Sequence, residues 1–170
     1  VISIGANAFY EASSLTEIII PRSVTSIGAY AFYRVRNLAS IEIPNSVITI
    51  GNDAFSQASS LTSIIIPDSV TSIGSFAFSG TSSLTEVVLS NNITTIEAYL
   101  FSGASSLKRI EIPNGVTSIG SSAFKGASSL TEIIIPDSVT SIGSSAFYEA
   151  SNIRNIRLSN NISKIEEDAF

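Results

Sequence analysis

The chain has 170 residues, a net charge of −5 and few charged side chains. That is a size for one domain, and it lacks the basic patch a nucleic-acid backbone would need. Cysteine and histidine are both absent, which excludes disulfides and thiolate metal sites and removes the commonest general base and metal ligand. No metal or other cofactor is expected. No run of 18 apolar residues occurs, so no membrane-inserting helix is expected. The chain opens without Met and in the middle of a pattern, and it shows no leader or anchor; it reads as a piece of something longer.

From the N-terminus the order is Val1-Ile2-Ser3-Ile4, then Ala8-Phe9, then Leu15, and it recurs in steps of 23 residues. The leucine column is Leu15, Leu38, Leu61, Leu84, Leu107, Leu130 and Ile153. The phenylalanine column runs from Phe9 through Phe32, Phe55, Phe78, Phe101, Phe124 and Phe147 to Phe170. Ile4, Ile27 and their equivalents to Ile165 keep the same phase, with no insertion or deletion. A strict period of this length specifies a solenoid, one supersecondary unit per coil. The whole of 1–170 is therefore one domain: a partial coil, then repeats starting at 15, 38, 61, 84, 107, 130 and 153, the last incomplete.

The first element of each coil is a strand. Ile18-Ile19-Ile20 alternates inward, outward, inward, and the outward position varies as Ile19, Glu42, Ile65, Val88, Glu111, Ile134 and Arg157. Pro21, Pro44, Pro67, Pro113 and Pro136 end it, because proline has no N–H for a ladder. Val24 to Ile27 follows as a bend or second short strand, and Gly28 is read as relieving a corner. Ala12 stands three residues after Phe9, which fits one short helical turn. The columns of Leu15, Ile18, Ile20, Val24, Ile27 and Phe9 are expected to form one core.

The string L-x-x-I-x-I-P-x-x-V-x-x-I-G-x-x-A-F resembles the BspA-like, or Treponema-type, leucine-rich repeat over the whole chain. The family usually has Cys three residues after the Phe; here that column reads Ala12, Val35, Ala58, Thr81, Ala104, Ala127 and Ala150. The resemblance implies a leucine-rich-repeat solenoid, mainly β with short helical turns and a parallel β-sheet on one face; the rule for parallel crossovers makes the expected winding right-handed. It also implies a large extracellular or cell-surface protein that adheres to host proteins or neighbouring cells.

A second period of 69 residues lies over the first. Residues 59–78 (SSLTSIIIPDSVTSIGSFAF) and 128–147 (SSLTEIIIPDSVTSIGSSAF) differ at two positions. "IEIPN", "IIIPD" and "LSNN"-type coils follow one another twice, as after duplication of a three-coil unit.

The strand face is the surface open to a partner. One outward column is Glu17, Ser40, Ser63, Glu86, Arg109, Glu132 and Asn155; the other holds Ile65, Val88, Glu111 and Ile134. One reading is a solvated sheet face with a Glu86–Arg109–Glu132 ladder, worth about 0.2–1 kcal/mol per pair. The other is a mixed binding strip made of Ile65, Glu86, Val88, Arg109, Glu111, Glu132 and Ile134, since exposed Ile and Val normally need cover. No catalytic residue is expected: without His or Cys the familiar nucleophile–base pairs cannot be built. Glu42 and Glu111 are three coils apart, roughly 14 Å at ~4.8 Å per coil, too far to share one small substrate. Glu166, Glu167 and Asp168 read as a solvated run, not a calcium cage.

Asn92-Ile93-Thr94 and Asn161-Ile162-Ser163 are glycosylation sequons if the source is eukaryotic and secretory; otherwise asparagine simply suits a turn. Val1-Ile2-Ser3-Ile4 and Ala169-Phe170 stop within the coil and offer no polar cap. Continuation of the chain, or head-to-tail stacking of copies into a fibre or filament, is therefore expected. The expected function is non-catalytic adhesion or protein binding, with a structural spacer or fibre segment as the alternative. The partner is a protein or further copies of the chain.

Overall fold

The computed structural model describes residues 2–170, so Val1 of the expected N-terminal edge lies outside the described residues. Among the described residues, thirteen short strands and no helix make up the regular structure. They are Ser3–Ile4 (β1), Ser26–Ile27 (β2), Thr49–Ile50 (β3), Ser63–Ile65 (β4), Ser72–Ile73 (β5), Glu86–Val88 (β6), Thr95–Ile96 (β7), Arg109–Ile110 (β8), Ser118–Ile119 (β9), Glu132–Ile134 (β10), Ser141–Ile142 (β11), Asn155–Arg157 (β12) and Lys164–Ile165 (β13). Every pairing is parallel and joins residues 23 apart, such as Ile4 with Ile27 and Ile64 with Val87. One coil thus stacks on the next in the register set by the sequence period.

The expected single sheet face is two faces. The L-x-x-I strands give the ladders β4-β6-β8 and β10-β12. The Ser-Ile segments, expected as a bend or short strand, give the longer ladders β1-β2-β3-β5 and β7-β9-β11-β13. A third face is built by the Ala-Phe segments, and here the expected helical turn is corrected. Ala12 N–H does donate to Phe9 O (3.1 Å), yet the N–H groups of Asn7, Phe9 and Glu11 donate forward to Ala29, Ala31 and Tyr33 of the next coil. A helix spends all its donors internally; here alternate donors leave for the neighbour. The backbone manages this by placing residues on either side of the Phe in the left-handed region, for example Asn7 (φ 59) and Glu11 (φ 55).

Gly28 also has a different reason from the one expected. Its φ is unexceptional; the constraint is proximity. A Cβ there would lie 2.6 Å from Ala6 N, and at Gly51 2.5 Å from Ala29 N. Glycine lets the coils close to ladder distance at that corner.

The core is one continuous cluster. Val24, Ile27, Phe32, Leu38 and their equivalents are buried in coil after coil. The Phe column is an offset stack: neighbouring rings are near-parallel with centroids 5.1 Å apart from Phe9 to Phe55, within the favoured range for aromatic pairs. At the two ends one side of the stack has no neighbouring coil, and Ile156 and Ile165 are each 44% exposed.

One coil departs from the rest. Leu100 occupies the Ala column, fully buried, and Glu97 occupies the Gly28 column. The Phe centroids widen to 5.6 Å at Phe78–Phe101 and 5.7 Å at Phe101–Phe124. Phe78 N to Leu100 O is 3.0 Å, against 2.7 Å for Phe32 N to Ala54 O. The Ser-Ile ladder breaks here, between β5 and β7. Glu166 also fills the glycine column, but beside Ala169; its N–H still reaches Ile142 O at 3.0 Å. Leucine plus glutamate therefore opens a seam that glutamate alone only stretches.

Candidate functional site

Every outward candidate on the strand face is exposed, and each is flanked by a buried neighbour because strands alternate. Ile65 is 65% exposed, Val88 47% and Ile134 48%, while Ile64, Val87 and Ile133 between them are buried. The register sets Ile65 beside Val88 and Glu86 beside Arg109. Glu86, Val88, Arg109 and Ile65 thus form one patch. Glu132 and Ile134 form a second patch, in register with Asn155 and Arg157.

The patches do not join. β8 and β10 share no ladder, and a groove of about 380 Å³ lies between them, lined by Arg109, Glu111, Ile112, Ile134, Asp137 and Arg157 among others. A second groove, also about 380 Å³, lies one three-coil unit earlier, between Ser40–Ile43 and Ser63–Ile65. Both fall at the junction of an "IEIPN" coil with an "IIIPD" coil, and a third groove of about 410 Å³ lies between Glu17–Arg22 and Ser40–Pro44. The expected Glu86–Arg109–Glu132 ladder forms no ion pair: among the described residues, pairs within 4.0 Å join Arg34 to Glu11 and Lys164 to Glu166. The face keeps charged side chains free beside exposed aliphatic ones.

The corner below the strands is held by an aspartate–asparagine clasp. Asp137 accepts from Asn160 N (2.8 Å) and Nδ2, and Asn161 Nδ2 donates to Asp137 O at 2.8 Å. Those bonds, with Arg157 nearby, hold the Asp137 carboxyl below its ordinary range. Asp68 with Asn91 and Asn92 repeats the arrangement, with Asn92 Nδ2 2.7 Å from Asp68 O. The amide nitrogens of both sequon asparagines, Asn92 and Asn161, are thus bonded to the preceding coil.

Sequence reasoning passed over the turn face. All five tyrosines lie there, either one residue after the column Phe (Tyr10, Tyr33, Tyr148) or two before it (Tyr30, Tyr99). The signal was available as a fixed offset from Phe within the period.

A 23-residue coil with L-x-x-I-x-I at its strand, stacked in parallel register around an aliphatic and phenylalanine core, defines a leucine-rich-repeat solenoid. Residues 2–127 and 94–170 match the family model described as the BspA type leucine rich repeat region, in six copies, and the chain belongs to that family. Among solved structures it is similar to a leucine rich cell surface protein from Faecalibacterium prausnitzii A2-165, at 30% identity and TM-score 0.61, covering 94% of this chain and 58% of that one. It is also similar to a leucine-rich repeat protein from Bacteroides ovatus ATCC 8483, at 26% identity and TM-score 0.68, covering 100% of this chain and 61% of that one. A leucine-rich repeat protein from Eubacterium ventriosum ATCC 27560 matches at 26% identity and TM-score 0.52, over 97% of this chain and 63% of that one. The chain therefore spans about three-fifths of the length of these structures. No relative matches among the curated proteins.

Proposed function

We propose that this chain is a non-catalytic adhesion module of an extracellular or cell-surface protein, and that it binds a protein partner through the outward residues of its strand face. The observation that carries the reading is the juxtaposition of exposed Ile65 and Val88 with the unpaired charges of Glu86 and Arg109. Apolar area supplies affinity and free charges supply selectivity, the composition of a binding strip. A neighbour described as a cell surface protein supports the location. The absence of His and Cys from the chain supports a role without catalysis.

The test is binding of the 170-residue chain to a panel of immobilised surface proteins from host and neighbouring cells, with Val88→Ala/Arg109→Ala as the comparison. Both residues are exposed, so the melting midpoint should hold while affinity for a panel member falls by about tenfold or more. Unchanged affinity in the double variant moves the site off this patch. Failure of every panel member favours the spacer reading, to which the near-identity of residues 59–78 and 128–147 also lends weight.

A further inference from the structure

We infer that Asn114-Gly115 is a site of spontaneous deamidation, and that its product sets a new carboxylate into the groove between β8 and β10. The first observation is a glycine without a structural reason. Other coils fill this turn position with Ser23, Ser46, Ser69, Asn92, Ser138 and Asn161. A Cβ on Gly115 would meet Ile93 O at 3.4 Å and Asn91 O at 3.5 Å, which is ordinary contact. Its φ lies outside the left-handed region that Gly80, Gly103 and Gly126 occupy. Neither space nor torsion calls for glycine here.

What glycine does change is the chemistry of the asparagine before it. The backbone nitrogen of the following residue can attack the asparagine Cγ, and a Cβ on that residue hinders the approach. The reaction is intramolecular, so its rate depends on how freely the two atoms meet. Asn114 and Gly115 are the exposed central residues of a turn that Val116 N–H closes onto Pro113 O at 3.0 Å. Among the described residues, the peptide unit joining them makes no hydrogen bond, and neither does the Asn114 side chain. The Asn-Asn pairs at the same place in other coils are tied down. Asn91 donates its N–H and Nδ2 to Asp68, and Asn92 N–H donates to Ser90 Oγ at 3.1 Å. Asn160 and Asn161 repeat those bonds to Asp137 and Ser159. The coil of Asn114 has Pro113 in place of that serine, and Asn91 in place of the aspartate one coil back. Both tethers are missing.

The step balances with water as the co-reactant. Gly115 N bonds to Asn114 Cγ and gives up its proton, and the side-chain nitrogen leaves as ammonia, closing a succinimide ring. Water then opens the ring at either carbonyl and leaves aspartate or isoaspartate at this position. Asn114 lines the groove with Arg109, Glu111, Glu132, Asp137 and Arg157. Three carboxylates there already face two guanidiniums; the product adds a fourth carboxylate. The chemistry needs no partner, so it holds whether or not the strand face binds a protein.

The folded 170-residue chain is held in mildly alkaline buffer, sampled over days and digested with trypsin. Cleavage after Arg109 and Lys125 releases a peptide whose single asparagine is Asn114. That peptide should gain the mass of one deamidation and split into aspartate and isoaspartate forms. Its rate should exceed that at Asn45, Asn91 and Asn160 by about tenfold or more. The intact protein should move to later elution on anion exchange in step, to the position of the Asn114→Asp variant. Gly115→Ser should stop the change and leave the melting midpoint unaltered. A rate at Asn114 no higher than at Asn45, or an unchanged rate in Gly115→Ser, overturns the proposal. So does conversion in the urea-unfolded chain with none in the folded one, which would show that the turn protects the pair. A lowered melting midpoint in Gly115→Ser also counts against it, because the glycine would then serve the turn.

Discussion

Phe124 is fully buried, stacked 5.7 Å from Phe101 and 5.1 Å from Phe147. Its replacement by alanine removes a ring that neighbours on both sides contact, and the hydrogen-bonded coils can collapse only partly. Phe124→Ala should cost about 3–5 kcal/mol in equilibrium unfolding; a loss below about 1 kcal/mol would contradict the stacked core. Asp53 shows the opposite balance. Burial pushes its carboxyl up, and hydrogen bonds from Ser56 and Tyr30 only partly offset this. A folded pKa raised above the unfolded value of about 3.9 means that the fold disfavours the charged form. Stability is therefore lost as pH rises through that range and regained as Asp53 protonates. Asp53→Asn keeps a residue that accepts φ 54 and removes a partly buried charge. It should raise the melting midpoint at pH 7, and the gain should shrink as pH falls toward about 4 and be lost below it. A gain independent of pH would assign the effect to something other than the charge.

At the scale of an element, the coil holding Glu97 and Leu100 is the informative one. Leu100 stands where its equivalents are alanine and Glu97 where all but Glu166 are glycine, and the two lie in the same seam. Glu97→Gly alone cannot close the ladder while Leu100 props the coils apart. Leu100→Ala alone leaves a void, because Glu97 keeps the coils from closing to fill it. A double-mutant cycle should show the pair to be more stable than the sum of the singles by about 0.5–3 kcal/mol. Simple additivity would mean that the two residues act independently and that the break has another origin.

For the whole molecule, each coil touches its neighbours alone, so stability is roughly a sum of coil and interface terms. The seam between β5 and β7 makes one interface poorer than the others. Gly74 N–H donates to Ile50 O, Gly120 N–H to Ile96 O and Thr117 N–H to Thr94 O, but the amides of Thr94 and Glu97 have no corresponding bond to the preceding coil. Native-state hydrogen exchange should find these two amides less protected than those of Gly74, Gly120 and Thr117. Equal protection across all five would show that the seam is closed in solution. A solenoid divided there comprises two blocks, with Ile65, Val88 and Arg109 on a ladder that runs across the division (β4-β6-β8). The strand face bridges what the Ser-Ile face leaves open.

The sequence alone determined the coil length, the inward columns and the parallel register, because a side chain that must be buried in every coil has to recur at one phase. It also placed Ile65, Val88, Arg109, Glu132 and Ile134 on the outside, since strand alternation is a local property. What it did not determine depends on contacts between coils 23 residues apart. Whether Ala-Phe winds into a helical turn was decided by where alternate N–H groups found acceptors, and those lie in the next coil. The reason for Gly28 was a neighbour's backbone at 2.6 Å from a would-be Cβ, not its own torsion angle. The division of the strand face by a groove and the loss of the expected Glu86–Arg109–Glu132 pairing were likewise tertiary outcomes. Periodicity fixes which way a side chain points; the distance between coils, set by their bulkiest residues, fixes what it meets.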